Sequence, residues 1–267
     1  MRTGDWDGGG VIANGPPVDY DMWAVQGGID LLRGEHDNGG RVHGGVHGAS
    51  GRISGTATSD AGGDAGDVEL DVQTFGGYLT YFGRPGWYVD ALAQFSWLET
   101  RMTSMRTGTR PDGTTFGTSV EGGYPFPLGE HTFLEPQAQL VYQRTALDSA
   151  ADEFGPVQFD DTTSLATRLG ARLSHIWRAA TPRSTTAWGR VSVWNDVKGQ
   201  SAVEIDTPGG LTPVGVDLGG GWIEFGLGGD VPLGRLFTVY GSGTYSLGIG
   251  DSDQHAISGK GGLRLNW

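Results

Sequence analysis

The chain has 267 residues, 49 of them glycine, and a formal net charge of −13. That charge excludes a nucleic-acid partner, because phosphate binding needs clustered Lys and Arg. It has no cysteine, which removes disulfides, thiolate catalysis and Cys-based metal sites.

No apolar run approaches the ~18 residues that a membrane helix needs. The opening stretch Met1–Asp7 lacks the apolar segment of a signal peptide, so a mature fragment behind a starting methionine is the expectation. Glycine runs at more than twice its usual ~7% share. Low-complexity disorder would explain that, but the 9 Trp, 8 Tyr and 10 Phe spread along the chain argue against it.

Residues 1–20 read as an N-terminal segment, with Gly8-Gly9-Gly10 and Pro16-Pro17 weakening any strand there. Period-2 segments then follow one another: Met22–Leu32, Gly40–Gly51, Val72–Phe82, Trp87–Thr100, Thr115–Phe126, Thr132–Arg144, Ser164–Ile176, Thr185–Val197, Gly221–Val231, Leu236–Leu247 and Ala256–Trp267. None shows a helical period. Their links alternate without exception between short (Arg33–Gly39, Gly83–Gly86, Pro127–His131, Trp177–Ser184, Pro232–Arg235) and long (Arg52–Asp71, Arg101–Gly113, Thr145–Thr163, Lys198–Gly220, Gly248–His255). Outer-membrane barrels sort their loops this way, with short periplasmic turns and long extracellular loops.

Alternation also assigns faces. Val89, Ala91, Ala93, Phe95 and Trp97 oppose Asp90, Gln94 and Ser96. Leu134, Leu140 and Tyr142 oppose Glu135, Gln137, Gln139 and Gln143. Leu165, Leu169 and Leu173 oppose Arg168 and Arg172, and Ile223, Phe225 and Leu227 oppose Glu224. In the last segment Ile257, Leu263, Leu265 and Trp267 oppose Ser258, Lys260, Arg264 and Asn266. Charges recurring on one face would be costly in a packed apolar core, whereas a wet lumen accepts them. Aromatics near the short turns (Trp87, Tyr124, Phe126, Trp267) and the long loops (Trp23, Trp97, Tyr142, Tyr245) form the two expected girdles.

The expected fold is therefore all-β: a transmembrane antiparallel up-and-down β-barrel of about twelve strands with both termini periplasmic. Residues 21–267 make the barrel. Single-chain bacterial barrels use even strand numbers, so a further strand is needed near the N-terminus. Either Arg2–Ile12 supplies a poor one, or that strand is truncated.

Four stretches carry a family resemblance: Gly86-Trp87-Tyr88-Val89-Asp90, Ser119-Val120-Glu121-Gly122-Gly123-Tyr124, Leu134-Glu135-Pro136-Gln137-Ala138-Gln139-Leu140, and Ser164-Leu165-Ala166-Thr167-Arg168-Leu169-Gly170-Ala171-Arg172. Pro within a strand is uncommon, which makes Leu-Glu-Pro-Gln fairly specific. Over nearly its whole length the chain resembles the C-terminal translocator domain of autotransporters (type V secretion), closest to the BrkA and pertactin group of Bordetella. The resemblance implies an outer-membrane module that secretes its own N-terminal passenger. The passenger and a pore-filling linker helix would lie upstream, and outer-membrane lipid would surround the wall. The C-terminal segment resembles the signal read by the barrel-assembly machinery, which falls here on Lys260, Gly262, Leu265 and Trp267.

Asp90, Glu121 and Glu135 are predicted on the lumen face of three consecutive strands. Strands lie about 4.8 Å apart, so these carboxylates could share a patch and exchange protons near neutrality. In self-cleaving autotransporters, carboxylates at matching positions polarise a linker Asn that cuts its own backbone. The resemblance suggests Asp90, Glu121 and Glu135 for that single-turnover role. The plain alternative is an acidic lining that keeps the pore hydrated and coupled to Arg168 and Arg172. Gln94, Gln137, Gln139 and Glu224 complete the expected lumen lining. Asn14, in its Gly-Pro-rich setting, is a poor scissile candidate.

No cofactor or metal is expected. His43 and His47 would stand roughly 13 Å apart on a strand, too far for one ion. Three rival functions remain in view. A porin-like passive channel would share the barrel. A soluble β-sandwich binding module would fold without detergent. An outer-membrane hydrolase would want His-x-Ser on one strand face, and no such tripeptide occurs.

Overall fold

The computed structural model describes residues 2–6, 18–37, 39–58, 63–104, 108–152, 155–177, 184–197, 200–207, 210–217, 220–234, 236–249 and 255–265. Twelve strands form the wall: β1 (Arg2–Trp6), β2 (Val18–Glu35), β3 (Arg41–Thr58), β4 (Asp64–Phe82), β5 (Tyr88–Ser104), β6 (Asp112–Gly123), β7 (Thr132–Leu147), β8 (Thr162–Trp177), β9 (Thr185–Asp196), β10 (Gly220–Leu233), β11 (Phe237–Ile249) and β12 (His255–Leu265). Each is antiparallel to the next, and β1 pairs with both β2 and β12, so the sheet closes on itself. Closure leaves the wall without edges, which is what a sheet crossing lipid requires.

Burial is inverted relative to a water-soluble protein. Among the described residues the buried apolar side chains are Leu98, Pro111, Ala166 and Ala256, while Arg168 is 1% exposed. Leu169, Leu227, Ile257 and Leu263 are all at least 60% exposed. The registers place these apolar groups on the outer face and Asp90, Glu121, Gln139, Arg168, Trp194 and Glu224 on the inner one. The face assignment read from alternation thus holds around the wall.

Strand lengths differ from the sequence reading. β2 to β5 run 18, 18, 19 and 17 residues, about 60 Å for 18 residues, well beyond the ~25 Å apolar band. Most of the expected loop Arg52–Asp71 is thus strand, leaving 59–63 as its connection. Periodicity misses this because above the membrane the polarity of the two faces inverts: the outer face carries Arg52, Asp67, Glu69 and Asp71, and the inner one Ile53, Val68 and Leu70. The outer face of β5 shows the change: Val89, Ala91, Ala93, Phe95 and Trp97 give way to Glu99, Arg101 and Thr103. Val89 to Trp97 covers about 27 Å along the strand, or roughly 20 Å of height at a tilt near 40°. Two other long loops also carry strand pairs: Ala150–Asp152 with Gly155–Phe159, and Gln200–Thr207 with Gly210–Asp217. Gly155–Phe159 also pairs with Gln200–Thr207, tying two loops together.

The short turns define the opposite rim. There Trp87 packs on Tyr81 at 5.4 Å between ring centroids, and Tyr124 on Phe126 at 4.7 Å. Trp23 (55% exposed) and Trp97 (52% exposed) mark the upper edge of the apolar band. Trp267 and Asn14 lie outside the described residues.

A charge on the outer face tests the assignment. Leu227 is 72% exposed mid-way along β10. Leu227→Arg should lower unfolding free energy in lipid vesicles by about 2–4 kcal/mol, whereas Gln94→Arg on the lumen face should change it by under ~1 kcal/mol. Urea titration followed by tryptophan fluorescence reads both.

Candidate functional site

A hydrogen-bonded network crosses the lumen wall from β5 to β9, nearer the short-turn rim. Its centre is Arg168 on β8. The Arg168 guanidinium donates to Glu121 at 2.6 Å, to Gln139 Oε1 at 2.9 Å, to Gln137 Oε1 at 3.1 Å and to Ser192 Oγ at 3.4 Å. It also lies 5.5 Å from the Trp194 ring centroid. The planar five-donor fork of arginine suits this many acceptors in one place.

Tyr88, at the start of β5, joins the carboxylates. Its hydroxyl donates to Glu121 Oε1 at 2.5 Å, accepts from Gln137 Nε2 at 3.0 Å and lies 3.4 Å from Glu135 Oε1. Gln137 Nε2 also donates to Glu135 at 2.7 Å. The ring reaches across because β6 offers glycine at its lower end: a Cβ on Gly123 would stand 2.5 Å from Tyr88 Cε1. Covering a strand glycine with an aromatic also restores packing that the glycine lacks. Trp188 does the same over Gly228, where an added Cβ would meet the indole at 2.5 Å.

The structure brings Asp90 and Glu121 directly opposite each other in the β5–β6 register. Glu135 sits lower on β7, where the register faces it with Arg172 rather than with Glu121, whose own partner is Gln139. The three carboxylates have different partners. Glu121 is tied to the buried Arg168. Asp90 accepts from Thr80 Oγ1, and Glu135 from Gln137. Among the described residues neither Asp90 nor Glu135 makes an ion pair. Glu224 pairs with Arg190 at 2.7 Å on the β9–β10 wall. Gln94 lies over Gly117, 3.5 Å from the position of an added Cβ.

Sequence reasoning missed Tyr88 and Ser192. Both sit on the lumen parity of their strands, Tyr88 with Asp90 and Ser192 opposite Glu224. That parity was a readable signal for Tyr88. Nothing in the sequence singled out Ser192 among the chain's many small polar residues.

A closed sheet with hydrocarbon-facing apolar side chains and a hydrated, charge-bearing lumen defines a transmembrane β-barrel. The sequence pattern of the family described as Autotransporter beta-domain matches residues 3–244. The chain belongs to the autotransporter β-domain family, integral outer-membrane barrels of Gram-negative bacteria. It is 28% identical over 260 residues to the adhesin BmaC autotransporter of Brucella suis, covering 93% of this chain and 7% of that protein. It is 31% identical over 181 residues to the pertactin autotransporter of Bordetella bronchiseptica, covering 65% of this chain and 19% of that protein. The chain thus spans a small part of the curated relatives it matches. In fold it is similar to the β domain of the Bordetella autotransporter BrkA, with a TM-score of 0.70, 22% identity and coverage of 100% of this chain and 97% of that one. It is also similar to the transport unit of AIDA-I from Escherichia coli, with a TM-score of 0.81, 16% identity and coverage of 100% and 88%.

Removing Glu121 would leave the Arg168 charge buried without its counter-ion. Glu121→Ala should therefore cost about 3–5 kcal/mol of barrel stability. Glu224→Ala, whose Arg190 side chain is 24% exposed, should cost clearly less. Urea midpoints of the two variants in the same lipid check the ranking.

Proposed function

We propose that this barrel is the translocator unit of a longer precursor, giving a passenger in the same polypeptide its route to the cell surface. The observation that carries the reading is the lumen: a closed wall of twelve strands whose inner face holds ionised and amide side chains while its outer face is apolar. Such a lumen is wet, and an extended or helical polypeptide can pass it without burying unsatisfied backbone groups. A porin-like channel would share that lumen, but family membership favours secretion. Fusing a reporter passenger upstream of residue 1 in a Gram-negative host should place the reporter within reach of protease added to intact cells. A reporter held in the periplasm beside a fully inserted barrel would overturn the proposal.

Self-cleavage of the linker is a second reading, favoured by the two lumen carboxylates without a cation, Asp90 and Glu135. A carboxylate not already committed to a guanidinium is free to accept a hydrogen bond from an Asn side-chain amide and raise its nucleophilicity. Glu121, tied to Arg168, would act by holding the network and keeping Tyr88 in place. In a full-length precursor, Asp90→Asn combined with Glu135→Gln should leave the barrel inserted and heat-modifiable on gels, with the precursor uncut. Normal processing in that double variant would remove the reading.

The last strand fits recognition by the barrel-assembly machinery. On β12, Lys260 and Gly262 face the lumen and Leu265 faces lipid, in the register Lys260↔Ser242 and Gly262↔Tyr240. Trp267→Ala should lower the amount of inserted barrel several-fold without changing the stability of what does insert. Unchanged membrane levels on immunoblots would show that Trp267 is not read.

A further inference from the structure

One lumen guanidinium is left over by the network. Arg172 on β8 stands in register between Glu135 of β7 and Arg190 of β9. Glu135 accepts from Gln137 and, among the described residues, makes no ion pair with Arg172. Arg190 gives its charge to Glu224 at 2.7 Å. Asp230 lies within electrostatic reach of Arg172 and Arg264, yet among the described residues Arg172 makes no ion pair, and its buried Nε has no hydrogen-bond partner.

The side chain is held in this position by Trp188. The indole centroid is 5.1 Å from the Arg172 guanidinium carbon and 5.9 Å from that of Arg190, so one aromatic ring carries two cations. Like charges facing each other across a strand pair are unfavourable. Cation–π contact offsets part of that, but among the described residues it leaves the in-plane N–H donors of Arg172 without an acceptor. Those donors in a fixed fork match a carboxylate.

We propose that Arg172, Arg190 and Trp188 form an anion seat on the lumen wall that takes a carboxylate. Its source is an Asp or Glu side chain of the polypeptide occupying the lumen, and this source rests on the translocation reading above. A carboxylate here receives the N–H donors of Arg172 and supplies the counter-charge that Glu224 already gives Arg190. The seat gives the passing or resident segment a preferred rotation: its acidic side turns toward β8 and β9, away from Asp90 and Glu121 on β5 and β6.

The test uses the refolded chain in planar bilayers, with a short helix-forming peptide bearing one central glutamate and an otherwise identical glutamine peptide as probes. The glutamate peptide should block wild-type conductance about tenfold more tightly than the glutamine peptide. Arg172→Gln should erase the difference, and Arg172→Lys, which keeps the charge, should retain part of it. All variants should show heat-modifiable migration, the sign of a folded barrel. Equal block by the two peptides, or a difference that survives in Arg172→Gln, overturns the seat alone. Relief of the block by millimolar acetate as complete as by excess glutamate peptide assigns the seat to free anions and overturns the polypeptide source. A folded wild-type barrel that conducts nothing overturns the open lumen, and the translocation reading with it.

Discussion

Hydrocarbon cannot hydrogen-bond, and that fact organises this molecule. Every peptide group within the membrane must find a partner in the sheet itself, so the wall has to close. β1 closes it, pairing with β12 from Arg2↔Ser258 to Asp5↔His255 and with β2 from Arg2↔Met22 to Trp6↔Val18. Once closed, the cylinder has two surfaces with opposite demands, and the strand period of two delivers both from one sequence. The near absence of buried apolar side chains follows directly: the solvent that rewards Leu227 and Leu169 is outside the protein, and what is enclosed is polar.

A cylinder without a packed core still needs something to hold its cross-section. The Arg168 network does this. It binds side chains from β5, β6, β7, β8 and β9 into one unit through Tyr88, Glu121, Gln137, Gln139 and Ser192. The backbone ladder joins each strand only to its neighbours, whereas Tyr88 and Arg168 sit three strands apart and meet at the same carboxylate. A buried ion pair gives little net stability against an apolar alternative. In a wet lumen no apolar alternative is available, and the network provides geometry: Glu121 joins β5, β6 and β8, and Arg168 adds β7 and β9. Beyond this unit the β9–β10 wall adds an aromatic stack to its Arg190–Glu224 pair, with Trp194 on Trp222 at 5.4 Å and 8°.

The barrel, its faces and its alternating loops were legible because lipid imposes a binary code on each strand. Where the code stops, so does legibility. Arg52–Asp71 reads as a loop since its lipid-side parity turns from apolar to charged, at Arg52, Asp67, Glu69 and Asp71, yet it is mostly strand. β1 was the weakest element in the sequence for a related reason: five residues, Arg2–Trp6, are too few to show alternation. The carboxylates Asp90, Glu121 and Glu135 were found by parity and family motif. Their different partners were not, because those depend on offsets between strands. Glu135 faces Arg172 while Glu121 faces Gln139, and no single strand contains that information.

The strands that outrun the membrane show what sets the height of the barrel in it. On the outer face above Trp97, Arg52 makes a two-point contact with Asp71 at 2.6 and 2.8 Å, and Arg101 pairs with Glu69 at 2.8 Å. These pairs are exposed, and such contacts stabilise by little, about 0–1 kcal/mol each. Moved into hydrocarbon they would become costly. A charge at mid-membrane on a barrel exterior costs about 2–4 kcal/mol, and several charged residues would enter together if β2 to β5 sank by one strand pair. Raising the barrel instead lifts Phe95 and Trp97 into water, each losing roughly 2 kcal/mol of burial. The two penalties meet at the line between Trp97 and Glu99. The position of the barrel along the membrane normal is thus fixed by where lipid-facing chemistry changes along the wall, while the ladder of β2 to β5 continues across that line without interruption.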